Sequence, residues 1–127
     1  MKKHVPYYKR YYYSDTEWTE DVLRWARIFE HTERRIGSTY TKGKIFYIST
    51  VFLGLDHSFT EEPHRPILYE TMVFCRWCHR GMDQDMERYS TLKEAKAGHE
   101  AMVRKWKPWR KVMKHIINKH ILRKEEV

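Results

Sequence analysis

"KIFYISTVFLGLDHSF", residues 44–59, decides how the rest of the chain is read. It is β-branched or aromatic almost throughout and has no helical repeat. That composition predicts a long strand, central in a sheet or covered on both faces. Upstream, "RRIGSTYT" (34–41) has the same character, and Lys42-Gly43 supplies a turn between them, so the pair reads as a hairpin. Downstream, the two prolines of "TEEPHRP" (60–66) mark a loop. "ILYETMVF" (67–74) is then a third strand and "DMERYST" (85–91) a weaker fourth, with Gly81 suited to a turn between antiparallel partners.

Helical periodicity flanks this block. Ser14 stands three residues before Glu17, the spacing of a capping box, and Trp18, Val22, Trp25, Ala26 and Phe29 recur at helical intervals, predicting a helix over 16–33. Thr91 is placed to cap a second helix whose Leu92, Ala95, His99, Met102, Val103 and Trp106 share one arc of about 100°. Pro108 interrupts that run and opens a third, basic amphipathic helix with Trp109, Val112, Met113, Ile116, Ile117 and His120 on one side. The fold class is α+β: an N-terminal helix, about four antiparallel strands, a C-terminal helix and an appended basic helix. The expected division is one domain over 1–107, its first thirteen residues a basic aromatic arm, followed by the helix of 108–127.

Charge is unevenly placed along the 127 residues. The net charge is +8, yet residues 1–13 hold four basic groups and no acid, and residues 101–124 hold nine and no acid. With Glu125 and Glu126 the ends sum to +11, and residues 14–100 to −3. Charge divided this way points to a polyanion or an acidic partner rather than to a requirement of the fold. In "HVPYYKRYYY" (4–13), cations alternate with rings, a pattern that suits phosphate contact with base stacking. The candidate binding residues are Tyr7, Lys9, Arg10, Tyr11 and Tyr12 in the arm, and Lys105, Lys107, Arg110, Lys111, Lys114 and Lys119 toward the other end. A solvated charged face and core tyrosines are the plainer readings of the same residues. No run of about 18 apolar residues is present, so no membrane insertion is expected, and the start lacks the apolar stretch of a secretory signal.

Two further sets carry possible chemistry. "VFCRWCHRGMD" (73–83) holds the only cysteines, Cys75 and Cys78, spaced as half a zinc site that His79 or His64 would complete. A redox pair would want a helix N-terminus, and two cysteines three apart make a poor disulfide framework, so the plainer reading is structural. Apart from that zinc alternative, no cofactor is expected. Asp56, His57 and Glu70, with His99 on an apolar helix face, could form a metal or acid–base site. Against it, neighbours on a strand point to opposite faces, and a lone histidine on such a face is more often a satisfied core residue bonded to a carboxylate such as Asp56.

"ISTVFLGLDH" (48–57), "YETMVF" (69–74) and "RYSTLKEAKAGHEAMV" (88–103) together resemble a family of small proteins encoded by bacteriophages and prophages, and "WARIFE" (25–30) is similar to an upstream element of that family. The similarity spans roughly residues 7–103. It implies an α+β fold and a phage or mobile-element origin, and it implies no catalytic residues; the expected compartment, from two cysteines and no secretory signal, is the reducing cytoplasm of a bacterial host. The cysteine-bearing turn and the basic extension from 108 depart from the family pattern. The expectation is therefore a non-enzymatic phage accessory protein that binds nucleic acid or a nucleic-acid-containing host complex. The alternatives are an anti-defence protein, such as a CRISPR inhibitor, acting on a host protein, and a metal-dependent enzyme using Asp56, His57 and Glu70. The oligomeric state is left open.

Overall fold

The computed structural model of the chain describes residues 4–58, 65–76 and 83–107, together with Met113, Lys114 and Ile117. It is an α+β arrangement of a two-stranded sheet, a four-stranded sheet and two helices. Strands β1 (Tyr11–Tyr12) and β2 (Trp18–Thr19) form the small hairpin, followed by α1 (Val22–Glu30). Strands β3 (Arg35–Tyr40), β4 (Phe46–Phe52), β5 (Tyr69–Cys75) and β6 (Asp83–Tyr89) make an antiparallel meander in that spatial order, and α2 (Leu92–Trp106) packs across it. The four expected strands are all present. The extended helix expected from Pro108 falls almost wholly outside the described residues.

The first helix differs from expectation. It starts at Val22, because residues 14–19 close the β1–β2 hairpin instead. The Ser14 hydroxyl does accept from the Glu17 amide (3.1 Å), but the Glu17 carbonyl accepts from Tyr13 (2.8 Å), which folds the chain back. Asp21 is the true N-cap, accepting from the Arg24 amide at 3.1 Å. Helix α2 starts at Thr91 as expected. The Thr91 hydroxyl oxygen accepts from the Glu94 amide (3.1 Å), and Asp15 in the hairpin turn accepts from the Leu92 amide (2.7 Å), tying the hairpin to the helix start.

Strand β4 is central, between β3 and β5, but it is buried on alternate residues only. Phe46, Ile48, Thr50 and Phe52 face α2 with Tyr69, Thr71, Val73 and Cys75 of β5, while Tyr47, Ser49 and Val51 take the other face. Two clusters fill the buried side. One gathers Phe46, Ile48, Val73, Cys75 and Met102, with Trp106 edge-on to Phe46 at 4.9 Å. The other gathers Tyr12, Phe52, Leu68, Tyr69 and Ala95. Phe29 of α1 closes over the second, stacked on Trp25 at 4.5 Å, and Gly54 (φ 76°) passes directly beneath both rings where a Cβ would collide.

His99 sits between the two clusters and is 6% exposed. One ring nitrogen, Nδ1, bonds the Thr50 hydroxyl (2.7 Å) and the other, Nε2, the Thr39 hydroxyl (2.9 Å); Thr50 in turn bonds Thr71 at 2.5 Å. One imidazole therefore joins α2 to β3, β4 and β5. Gly37 lies against the ring so closely that an added Cβ would stand 2.7 Å from Nδ1. Burial penalises the cationic ring and holds its pKa below the ordinary value of 6.5, opposed by nearby Glu100. The unfolded chain thus binds this proton first as pH falls, so the stabilisation is complete above that value and is lost as pH drops toward the folded-state pKa. His99→Ala is expected to lower the unfolding free energy by about 2–3 kcal/mol in urea titrations, through orphaned threonine hydroxyls and a cavity. Between pH 7 and 5 the wild type should lose stability more steeply than the variant; parallel curves would show that folding does not shift the His99 pKa.

Candidate functional site

The carboxylates and histidines singled out from the sequence do not assemble into a reactive centre. Asp56 lies beyond the end of β4, and its Oδ1 accepts from the amides of Ser58 (2.9 Å) and Ile67 (2.8 Å) while its Oδ2 accepts from the Ser58 hydroxyl (2.8 Å). Its carboxylate therefore fastens the two ends of the connection between β4 and β5. His57 bonds the Leu55 carbonyl through Nδ1 (2.8 Å) and borders an open hollow of about 480 Å³ with Glu33, Arg34 and Arg35. Glu70 projects from the sheet face away from α2 and pairs with Arg88 across the β5–β6 ladder at 2.9 Å. His99 is bonded to threonines, not to Asp56. Among the described residues no group of three or more His, Cys, Asp or Glu side chains is placed to hold a metal ion.

The first ligand of the expected zinc half-site is engaged elsewhere. Cys75 is 1% exposed in the cluster around Phe46 and is disulfide-bonded, so it presents no thiolate to a metal. The expectation against a disulfide is corrected by the same observation. Cys78, His79 and His64 lie outside the described residues.

The basic aromatic arm is partly body and partly surface. Tyr12 is corrected from a stacking residue to a core residue: it is 2% exposed, its backbone pairs in β1, and burial pushes its phenol pKa up against the opposing charge of Arg10. Tyr11 is half-buried beside Trp25 at 5.4 Å. Tyr7–Lys9 instead form a single 3₁₀ turn after Pro6, which leaves Tyr8 77% exposed. The Arg10 guanidinium lies over the rings of Tyr7 (4.8 Å) and Trp18 (4.6 Å), and its Nε donates to the Val5 carbonyl (2.8 Å). Lys9 stands over Tyr8 at 5.9 Å. Neither Lys9 nor Arg10 makes an ion pair among the described residues, so ring faces and a carbonyl hold these cations without neutralising them.

At the other end, Lys105 is not a free cation. It pairs with Asp85 at 2.6 Å, and Trp106 Nε1 donates to the same carboxylate oxygen at 3.0 Å. Burial would raise the Asp85 pKa, but the donors Lys105, Trp106 and the Met86 amide outweigh it and hold the carboxyl low. Lys107 and Lys114 are exposed, and Arg110, Lys111 and Lys119 lie outside the described residues.

The structure also places together residues that the sequence reading passed over. On the sheet face opposite α2, Tyr40, Tyr47 and Phe74 stand side by side on β3, β4 and β5, paired Tyr40 with Tyr47 and Tyr47 with Phe74. Their centroids are 4.7 Å and 6.3 Å apart. Arg76 and Lys44 both lie over the Tyr40 ring, at 5.3 Å and 5.7 Å. The available signal was the non-alternating character of 44–59, in which Tyr47 and Val51 occupy the positions a solvated strand face would give to polar residues.

Asp56→Ala should cost about 2 kcal/mol of folding stability, because amide donors lose a charged acceptor. That loss should be the same with and without EDTA in chemical denaturation; a chelator-sensitive loss would restore a metal role. Comparison with protein-family models, with curated proteins and with solved structures returned no match, so the site is read from its own geometry.

Proposed function

We propose that this chain is a non-enzymatic accessory protein of phage origin that binds nucleic acid through its basic, aromatic-rich surfaces. The observation that carries the proposal is the N-terminal cluster, where Lys9 and Arg10 are ordered by Tyr8, Tyr7 and Trp18 and have no carboxylate partner among the described residues. A cation held on a ring keeps its charge for an outside anion, and an exposed ring beside it offers a face to a base. The phage origin rests on the family resemblance of residues 7–103. The non-enzymatic part rests on the structural occupation of Asp56, Glu70 and His99.

Binding of a fluorescein-labelled single-stranded 20-mer, followed by anisotropy, tests the reading. With about four phosphate contacts, affinity should fall roughly fifty-fold between 50 and 200 mM salt, the slope for single strands being about −0.7 per contact. The double variant Lys9→Ala, Arg10→Ala should bind more weakly and flatten that slope by about 1.4. A salt-independent affinity would remove nucleic acid as the ligand.

A further inference from the structure

The sheet face turned away from α2 has the composition of a binding surface rather than of a solvated one. Reading across the strands, its rows are Tyr40, Tyr47, Phe74 and Asp83; then Ser38, Ser49, Met72 and Met86; then Arg35, Val51, Glu70 and Arg88. Tyr40 is 49% and Met86 41% exposed. Both helices and the small hairpin pack on the other side, through Met102, Phe29 and Tyr12. The rings of Tyr47 and Phe74 are within 24° of parallel, and the Tyr47 hydroxyl bonds Ser38 at 2.9 Å, which fixes the ring's attitude. A register shift between Arg35 and Gly37 sets Tyr40 opposite Tyr47 on this face.

We propose that the Tyr40–Tyr47–Phe74 row is a stacking platform for two or three unpaired bases of single-stranded nucleic acid, with Arg76 and Lys44 meeting the phosphates. The proposal rests on the nucleic-acid reading above and assigns it a second, sheet-borne site. Rings carried on neighbouring strands offer a row of π faces of the kind that holds unstacked bases irrespective of sequence. Charge selects the occupant. Arg35, Lys44, Arg76 and Arg88 border or share this face among the described residues, against Asp83, which pairs with Phe74 at the β6 edge, and Glu70, which Arg88 already engages. A second copy docked face to face would bring those cations against their own equivalents, whereas a polyanion neutralises them. A duplex keeps its bases paired and offers this surface only a backbone.

The test uses the full chain with labelled dT20 and rU20, a 20-base-pair duplex competitor, and the variants Tyr40→Ala, Tyr47→Leu and Phe74→Leu. Each ring replacement should weaken single-strand binding roughly 5- to 100-fold while leaving the salt slope unchanged, since no charge is removed. The arm variant should do the reverse and flatten the slope. Tighter binding of dT20 or of rU20 supports the platform and states which strand it prefers. Because a ring variant could fail to fold, the wild type is also photo-crosslinked to 5-iodouracil oligonucleotides, with adducts expected on Tyr47 or Phe74. Adducts confined to Tyr7 and Tyr8, with ring variants binding normally, would overturn the platform and leave the arm reading intact. Equal competition by duplex would overturn it as well, as would a dimer in sedimentation velocity that Tyr47→Leu dissociates. Absence of any binding by the wild type at low salt would overturn both readings.

Discussion

The arrangement depends on one buried imidazole. His99 is the point where α2 meets three strands, and its two nitrogens and the three threonine hydroxyls form a closed polar chain inside an apolar layer. A leucine there would supply apolar area without register. The histidine fixes both the rotation of α2 about its axis and its height along the sheet, because both ring nitrogens must find oxygen at once. Gly37 leaves the space the ring needs, and the irregularity in β3 at that glycine lets the strand pass the ring and resume pairing with β4.

With α2 committed to one face, the other face is released from packing duty. Its conformation comes from the backbone ladders, so its side chains can be aromatic and cationic without penalty to the core. The same separation runs through the charges. Arg65, Arg88 and Lys105 are matched to Glu94, Glu70 and Asp85, whereas Lys9, Arg10, Lys44 and Arg76 are arranged over rings. A carboxylate cancels a cation's reach, and a ring face orders it while leaving its field intact. The proposed contact surfaces hold Lys9, Arg10, Lys44 and Arg76 in this ring-held way.

How much of this could be read from the residues varied with the physical range of the signal. The strands and α2 were legible because period and capping are local, and Thr91 with Glu94 did what the spacing implied. Ser14 with Glu17 has the same spacing and even forms the same hydroxyl-to-amide bond, yet closes a hairpin. What differs is the chain before it, since Tyr12 is drawn into the core and forces a reversal. The burial of Tyr12 and Cys75, and the partners of Asp56 and His99, are set by contacts distant in sequence that no short window contains. The β-branched and aromatic composition of 44–59 predicts a strand that is central or covered on both faces. It is central, and its second face is aromatic for another reason.

The irregularity at Gly37 carries a consequence for descent. The buried clusters and the His99 network lie on the α2 side of the sheet, and the Tyr40–Tyr47–Phe74 row lies on the other. Mutation can therefore rewrite the exposed row, ring by ring, with little effect on whether the chain folds. A chain built this way can vary its exposed face while its architecture stays fixed.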